Sequence, residues 1–156
     1  MIELRVLGIG SPFGDDSLGW EVIKLLRQQD PLQQYSNKRL QLLCCDRPGL
    51  HLLELMRDVK TIFLIDAVKI NGEVGALHYL KNEEIEVISP VQSTHELGVG
   101  YVMKIGNVLN SLPQEIVFYG IEIGDILFQF ELSMPIKNAI EKLSFRIGND
   151  IASLLD

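Results

Sequence analysis

Basic residues are too few in this chain to balance its acids. Fourteen Lys and Arg stand against 21 Asp and Glu, giving a net charge of −7 and a pI near 4.9. No block of Lys and Arg reverses that field locally, and such a field repels nucleic acid and anionic lipid. Neither is expected as a partner. Long apolar runs are also missing, since none approaches the roughly 18 residues of a membrane span. Met1-Ile2-Glu3-Leu4-Arg5 lacks the basic start and apolar stretch of a signal peptide, so the expected compartment is the cytoplasm. Cysteine is scarce: Cys44 and Cys45 are neighbours, which rules out an unstrained bridge, a disulfide framework and a C-x-x-C metal site. No histidine is evidently paired with them, and they read as reduced, buried strand residues rather than nucleophiles.

Two motifs begin and are not completed. Gly8-Ile9-Gly10 opens the dinucleotide pattern, but the third glycine position is Phe13. Asp15 and Asp16 then follow where a pyrophosphate would need donors and a positive field. A G-x-S-x-G nucleophile elbow is absent altogether, which argues against a serine triad.

What the chain does contain is an alternation of apolar strands and helical patterns. Its 156 residues, 47% apolar and 22% charged, suit one globular domain over 1–156 with a real core. Leu4 to Ile9 has the near-continuous apolar character of a strand buried on both faces. A helix is expected from about Ser17 to Gln29, a second strand over Leu40 to Cys45, and a short helix within Pro48 to Arg57. Thr61 to Ile65 reads as a third buried strand ending at Asp66. Ala76 to Leu80 follows too soon for a helical crossover, so it is expected to run antiparallel. Ser93 and Glu96 have capping-box spacing, which predicts a helix from there to about Asn110 with Leu97, Tyr101, Ile105 and Val108 on its apolar face. Glu115 to Ile121 is the last strand. Ile136, Ile140, Leu143, Ile147, Ile151 and Leu154 then mark a long terminal helix. The pattern predicts a three-layer α/β/α sandwich around a mostly parallel five-stranded sheet with one antiparallel strand.

In such sheets functional groups gather beyond the carboxyl ends of the parallel strands. Three polar landmarks fall there: Asp15 and Asp16 after strand one, Asp66 at the end of strand three, and His95 at the later helix. Each has an ordinary explanation alone. Acids suit a helix start, aspartate caps turns, and histidine is common near helix starts. Their shared rim is what those explanations leave out. Two carboxylates and an imidazole make an O,O,N set for a divalent transition metal with open positions. Alternatively one carboxylate is a general base and the others orient it. Asp46-Arg47-Pro48-Gly49 lies in the loop after strand two at the same rim and could shape its mouth. His51 and His78 have no telling spacing, and His78 alternates with apolar neighbours as a solvent-facing strand residue would.

Together, Gly8-Ile9-Gly10, the loop Asp15-Asp16-x-x-Gly19, Asp66 and His95-Glu96-Leu97-Gly98 resemble the [NiFe]-hydrogenase maturation proteases in order and spacing along nearly the whole chain. The resemblance implies a phosphorylase/hydrolase-like fold and an endopeptidase that removes the C-terminal extension of a hydrogenase large-subunit precursor after nickel insertion. It also implies that nickel arrives in the precursor, and that Asp16, Asp66 and His95 are the metal-contacting and catalytic residues, with Asp15 supporting. Ser11-Pro12 stands where the family usually has Asn, and Asp46-Arg47-Pro48-Gly49 where many members have a glycine pair. Both segments are expected to touch the precursor. The alternatives are a non-catalytic nickel checkpoint that binds the precursor, and a small-molecule hydrolase of similar fold with its own metal.

Overall fold

The structure is a computed structural model and describes residues 1–88, 98–125 and 131–156. Its elements are β1 (Ile2–Gly10), α1 (Leu18–Arg27), β2 (Leu40–Asp46), α2 (His51–Leu55), β3 (Val59–Val68), β4 (Leu77–Lys81), α3 (Val99–Val108), β5 (Glu115–Glu122) and α4 (Met134–Leu155). The strands form one sheet in the order β2-β1-β3-β5-β4, in which β2, β1, β3 and β5 are parallel and β4 is antiparallel to β5. No helix among the described residues is long and apolar enough to cross a membrane.

Strand alternation sorts the apolar side chains into two cores. Leu4, Val6, Phe63, Ile65, Val117 and Tyr119 pack under α1 and α4. Leu7, Ile9, Ile62, Leu64, Ile116 and Phe118 pack under α2 and α3. Because both faces are covered, the strands read as unbroken apolar runs, and the three-layer α/β/α arrangement follows. The short connection over 69–76 does reverse the chain as expected. It does not pair β4 with β3, however; β5 comes to lie between them.

Several sequence expectations need correction. The two cysteines are not buried: β2 is an edge strand, and Cys44 is exposed while Cys45 is half-buried. The helix that ends at Val108 begins at Val99, after an extended Gly98, rather than near Ser93. The capping-box residues Ser93 and Glu96, with Leu97 and His95, lie outside the described residues. The buried face of α3 is Val99, Gly100, Val102, Met103 and Gly106, whereas Tyr101 is exposed and Val108 is 86% exposed. This helix is apolar nearly all round, so periodicity did not identify the inner face. In α4 the stripe from Ile136 to Ile151 is buried as expected, but it closes on Leu155, with Leu154 43% exposed.

Candidate functional site

The sheet order creates one topological break. Strand β1 lies between β2 and β3, with α1 leading from β1 to β2 across one face and α2 leading from β2 to β3 across the other. From the carboxyl end of β1 the chain departs toward β2, and from that of β3 toward β4 at the opposite edge, so the crevice expected for function in an open α/β sheet falls between these two strands. The β1–β3 ladder ends at Gly8 opposite Ile65. Asp66 is the next residue, so it is the first β3 position beyond that ladder. It does not end the strand, as the sequence suggested, because β3 continues to Val68 against β5. Asp66 is half-buried, and its Oδ1 accepts the Ala67 N–H at 2.8 Å.

The acidic loop folds over the other side of this crevice. Gly19, at the start of α1, is packed so closely that a Cβ there would fall 2.2 Å from the Ile9 carbonyl oxygen and 2.8 Å from that of Ile65. Only glycine lets the helix straddle β1 and β3 in this way. The preceding Gly14–Ser17 turn contacts both strands. Within the loop the Asp16 N–H donates to the Phe13 carbonyl at 3.0 Å, and the Ser11 N–H donates to the Asp16 carbonyl at 3.1 Å. Gly10 makes room for this closure, since a Cβ there would lie 2.7 Å from the Asp16 carbonyl oxygen. The Ser11 hydroxyl donates to Asp16 Oδ2 at 2.5 Å.

The two acids have different partners. The carboxylate of Asp15 accepts both the N–H (2.8 Å) and the hydroxyl (2.9 Å) of Ser133. Ser133 is the N-cap residue of α4, so Asp15 ties the acidic loop to the start of the last helix. Asp16 is held within its own loop beside the crevice. The structure thus places Asp16 in the turn that follows β1 and contacts β1 and β3, and Asp66 just beyond the β1–β3 ladder, while His95 lies outside the described residues. Among the described residues no three His, Cys, Asp or Glu side chains are grouped to hold a metal ion.

Two buried polar groups carry no motif in the sequence. Ser11 was expected to touch a partner, but it is 2% exposed and its hydroxyl is turned inward to Asp16. The only signal in the sequence was that a polar residue closes an apolar strand. Glu122 is 1% exposed; its carboxylate accepts the Ile70 N–H and pairs with His78 Nε2, both at 2.9 Å. His78 therefore does not face solvent: on β4 it is Leu77 and Tyr79 that are exposed. An edge strand over a buried acid inverts the usual apolar-in alternation. Asp46 and Arg47 form an ion pair at 2.7 Å, and the Arg47 N–H donates to the Gly10 carbonyl, which brings that loop to the same rim.

Electrostatics argue against the cysteines as nucleophiles. Burial, then the negative charge of Asp66, pushes the Cys45 thiol up to about 12, and burial also raises Cys44. Thiolate, the reactive form, is thereby suppressed at both.

A family model described as hydrogenase maturation protease (HycI) matches residues 32–149. No curated protein matches the chain. Among solved structures, the hydrogenase maturating endopeptidase HybD from E. coli aligns with a TM-score of 0.77 at 20% identity, covering 93% of this chain and 89% of that one. The hydrogenase 2 maturation peptidase from Thaumarchaeota archaeon SCGC_AB-539-E09 aligns at 0.69 and 19%, covering 96% and 98%. The [NiFe] hydrogenase maturation protease HycI from Thermococcus kodakarensis KOD1 aligns at 0.65 and 23%, covering 96% and 92%. At such identities these structures speak for the fold, and the family model speaks for the family.

Proposed function

The chain belongs to the hydrogenase maturation protease family, whose members are peptide hydrolases, and from that premise we propose that it removes the C-terminal extension of a [NiFe]-hydrogenase large-subunit precursor in the cytoplasm. Residues 1–156 act in this as one domain. The supporting observation is the pair of carboxylates, Asp16 in the turn after β1 and Asp66 just beyond the β1–β3 ladder, where the chain direction switches. With His95 they supply an O,O,N set suited to a divalent transition metal that retains open positions. The metal in this reading is nickel already seated in the precursor. It is part of the substrate, and engaging it certifies that insertion is complete.

Hydrolysis needs a polarised scissile carbonyl and a base for the attacking water. Nickel in the substrate serves the first need as a Lewis acid. Asp16 or Asp66 serves the second by accepting the proton of water, which later passes to the leaving amine. The cysteines play no part in this scheme.

The test is to incubate the purified protein with nickel-loaded and nickel-free precursor and read the precursor mass. A C-terminal mass loss confined to the loaded form is expected. An unchanged loaded precursor, or equal cleavage of both forms, overturns the proposal.

A further inference from the structure

We propose that Ser11 is a positioning residue for Asp16, and that its hydroxyl sets the orientation in which that carboxylate meets the precursor-held nickel. This inference rests on the function proposed above. Ser11 is among the few buried polar side chains of the described molecule, and its Oγ lies 2.5 Å from Asp16 Oδ2. No buried side-chain polar atom among the described residues is left without a partner. A buried hydroxyl directed at a carboxylate has little freedom to serve solvent or a docking partner. Its work is internal.

The surrounding backbone shows why the Ser11 side-chain bond matters here. The Ser11 N–H, the Phe13 carbonyl and the close approach permitted by Gly10 already hold the Asp16 main chain. What the backbone cannot hold is rotation about the Asp16 side-chain torsions, where several staggered wells are available. A charge-assisted bond to one oxygen selects among them and fixes the plane of the carboxylate. Hydrogen bonds that orient a metal-contacting group from behind are worth about 10- to 100-fold in affinity or activity when removed. Ser11 therefore acts through Asp16, not on the precursor.

The experiment compares Ser11→Ala, Ser11→Thr and Asp16→Ala with the parent protein. It reads processing of nickel-loaded precursor, binding of loaded and nickel-free precursor, and thermal unfolding. Ser11→Ala is expected to lose about 10- to 100-fold in kcat/KM on loaded precursor, to bind nickel-free precursor as the parent does, and to unfold at nearly the parent temperature. Ser11→Thr, which keeps the hydroxyl, should recover most of the loss. If Asp16→Ala is inactive while Ser11→Ala processes at the parent rate, the role given to Ser11 is wrong and the site stands. If Ser11→Ala weakens loaded and nickel-free binding equally, or Ser11→Thr restores nothing while folding normally, Ser11 is only a structural residue. Full activity in Asp16→Ala would remove the site itself, and this inference with it.

Discussion

Two carboxylates at the carboxyl end of the sheet, Asp16 after β1 and Glu122 at the end of β5, are held by similar chemistry in opposite surroundings. Asp16 takes a serine hydroxyl and is half-buried beside the crevice between β1 and β3. Glu122 takes a backbone N–H and a histidine ring and is almost wholly sealed. The difference lies in the neighbouring strand. Next to Asp16 the β1–β3 ladder has already ended, whereas β4 pairs with β5 as far as Ile121 and covers its end. A held carboxylate beyond an ended ladder stays partly exposed. Beneath a paired edge strand it becomes an anchor, here for the connection over 69–76.

Substitution at the open end should have the largest effect. Asp16→Ala, Asp66→Ala and His95→Ala are each expected to cut processing by at least about 100-fold, the scale of a general acid–base group, with normal urea unfolding. Full processing in any of the three would remove that residue from the proposed site. At the sealed end the pattern should reverse. Glu122→Ala strands the Ile70 N–H and His78, and should cost about 3 kcal/mol in urea unfolding, while the folded fraction still processes precursor. A stable Glu122→Ala protein with no activity would erase the distinction between the two carboxylates.

Asp15 sharpens the comparison from within the acidic loop. Asp15→Ala removes both bonds to Ser133, and should lower stability by roughly 1 kcal/mol, the net worth of an exposed hydrogen-bonded contact; activity should fall far less than in Asp16→Ala. Equal activity losses in the two variants would deny the division between them.

The smallest effect is expected from Cys45, which lies near the rim without taking part. Its folded thiol, raised from 9.0 to about 12, stays protonated where the unfolded thiol ionises. Between those values the unfolded state binds fewer protons, so stability falls as pH rises above 9.0. The parent should lose stability over pH 9–10.5 faster than Cys45→Ala, and Cys45→Ala should process normally. Identical pH slopes would show that the thiol is not perturbed.

Much of this molecule is legible in its residues. The apolar runs around Leu4–Ile9 and Thr61–Ile65, the long stripe from Ile136 to Ile151 and the shortness of 69–76 suffice for a parallel α/β sandwich with one reversed strand, because each depends only on local periodicity and chain length. The acidic loop and Asp66 are likewise visible as strand-end polar residues. Other features depend on which elements become neighbours. Periodicity cannot tell that β2 is an edge strand, which exposes Cys44, or that β5 enters between β3 and β4, which seals Glu122 and draws His78 inward. Nor can it choose between the apolar faces of α3, which packing settles in favour of Val99, Val102 and Met103. The partners of Asp15 and Asp16 are decided in the same way. They are identical side chains one residue apart, and only the folded chain brings Ser133 to one and turns the Ser11 hydroxyl onto the other.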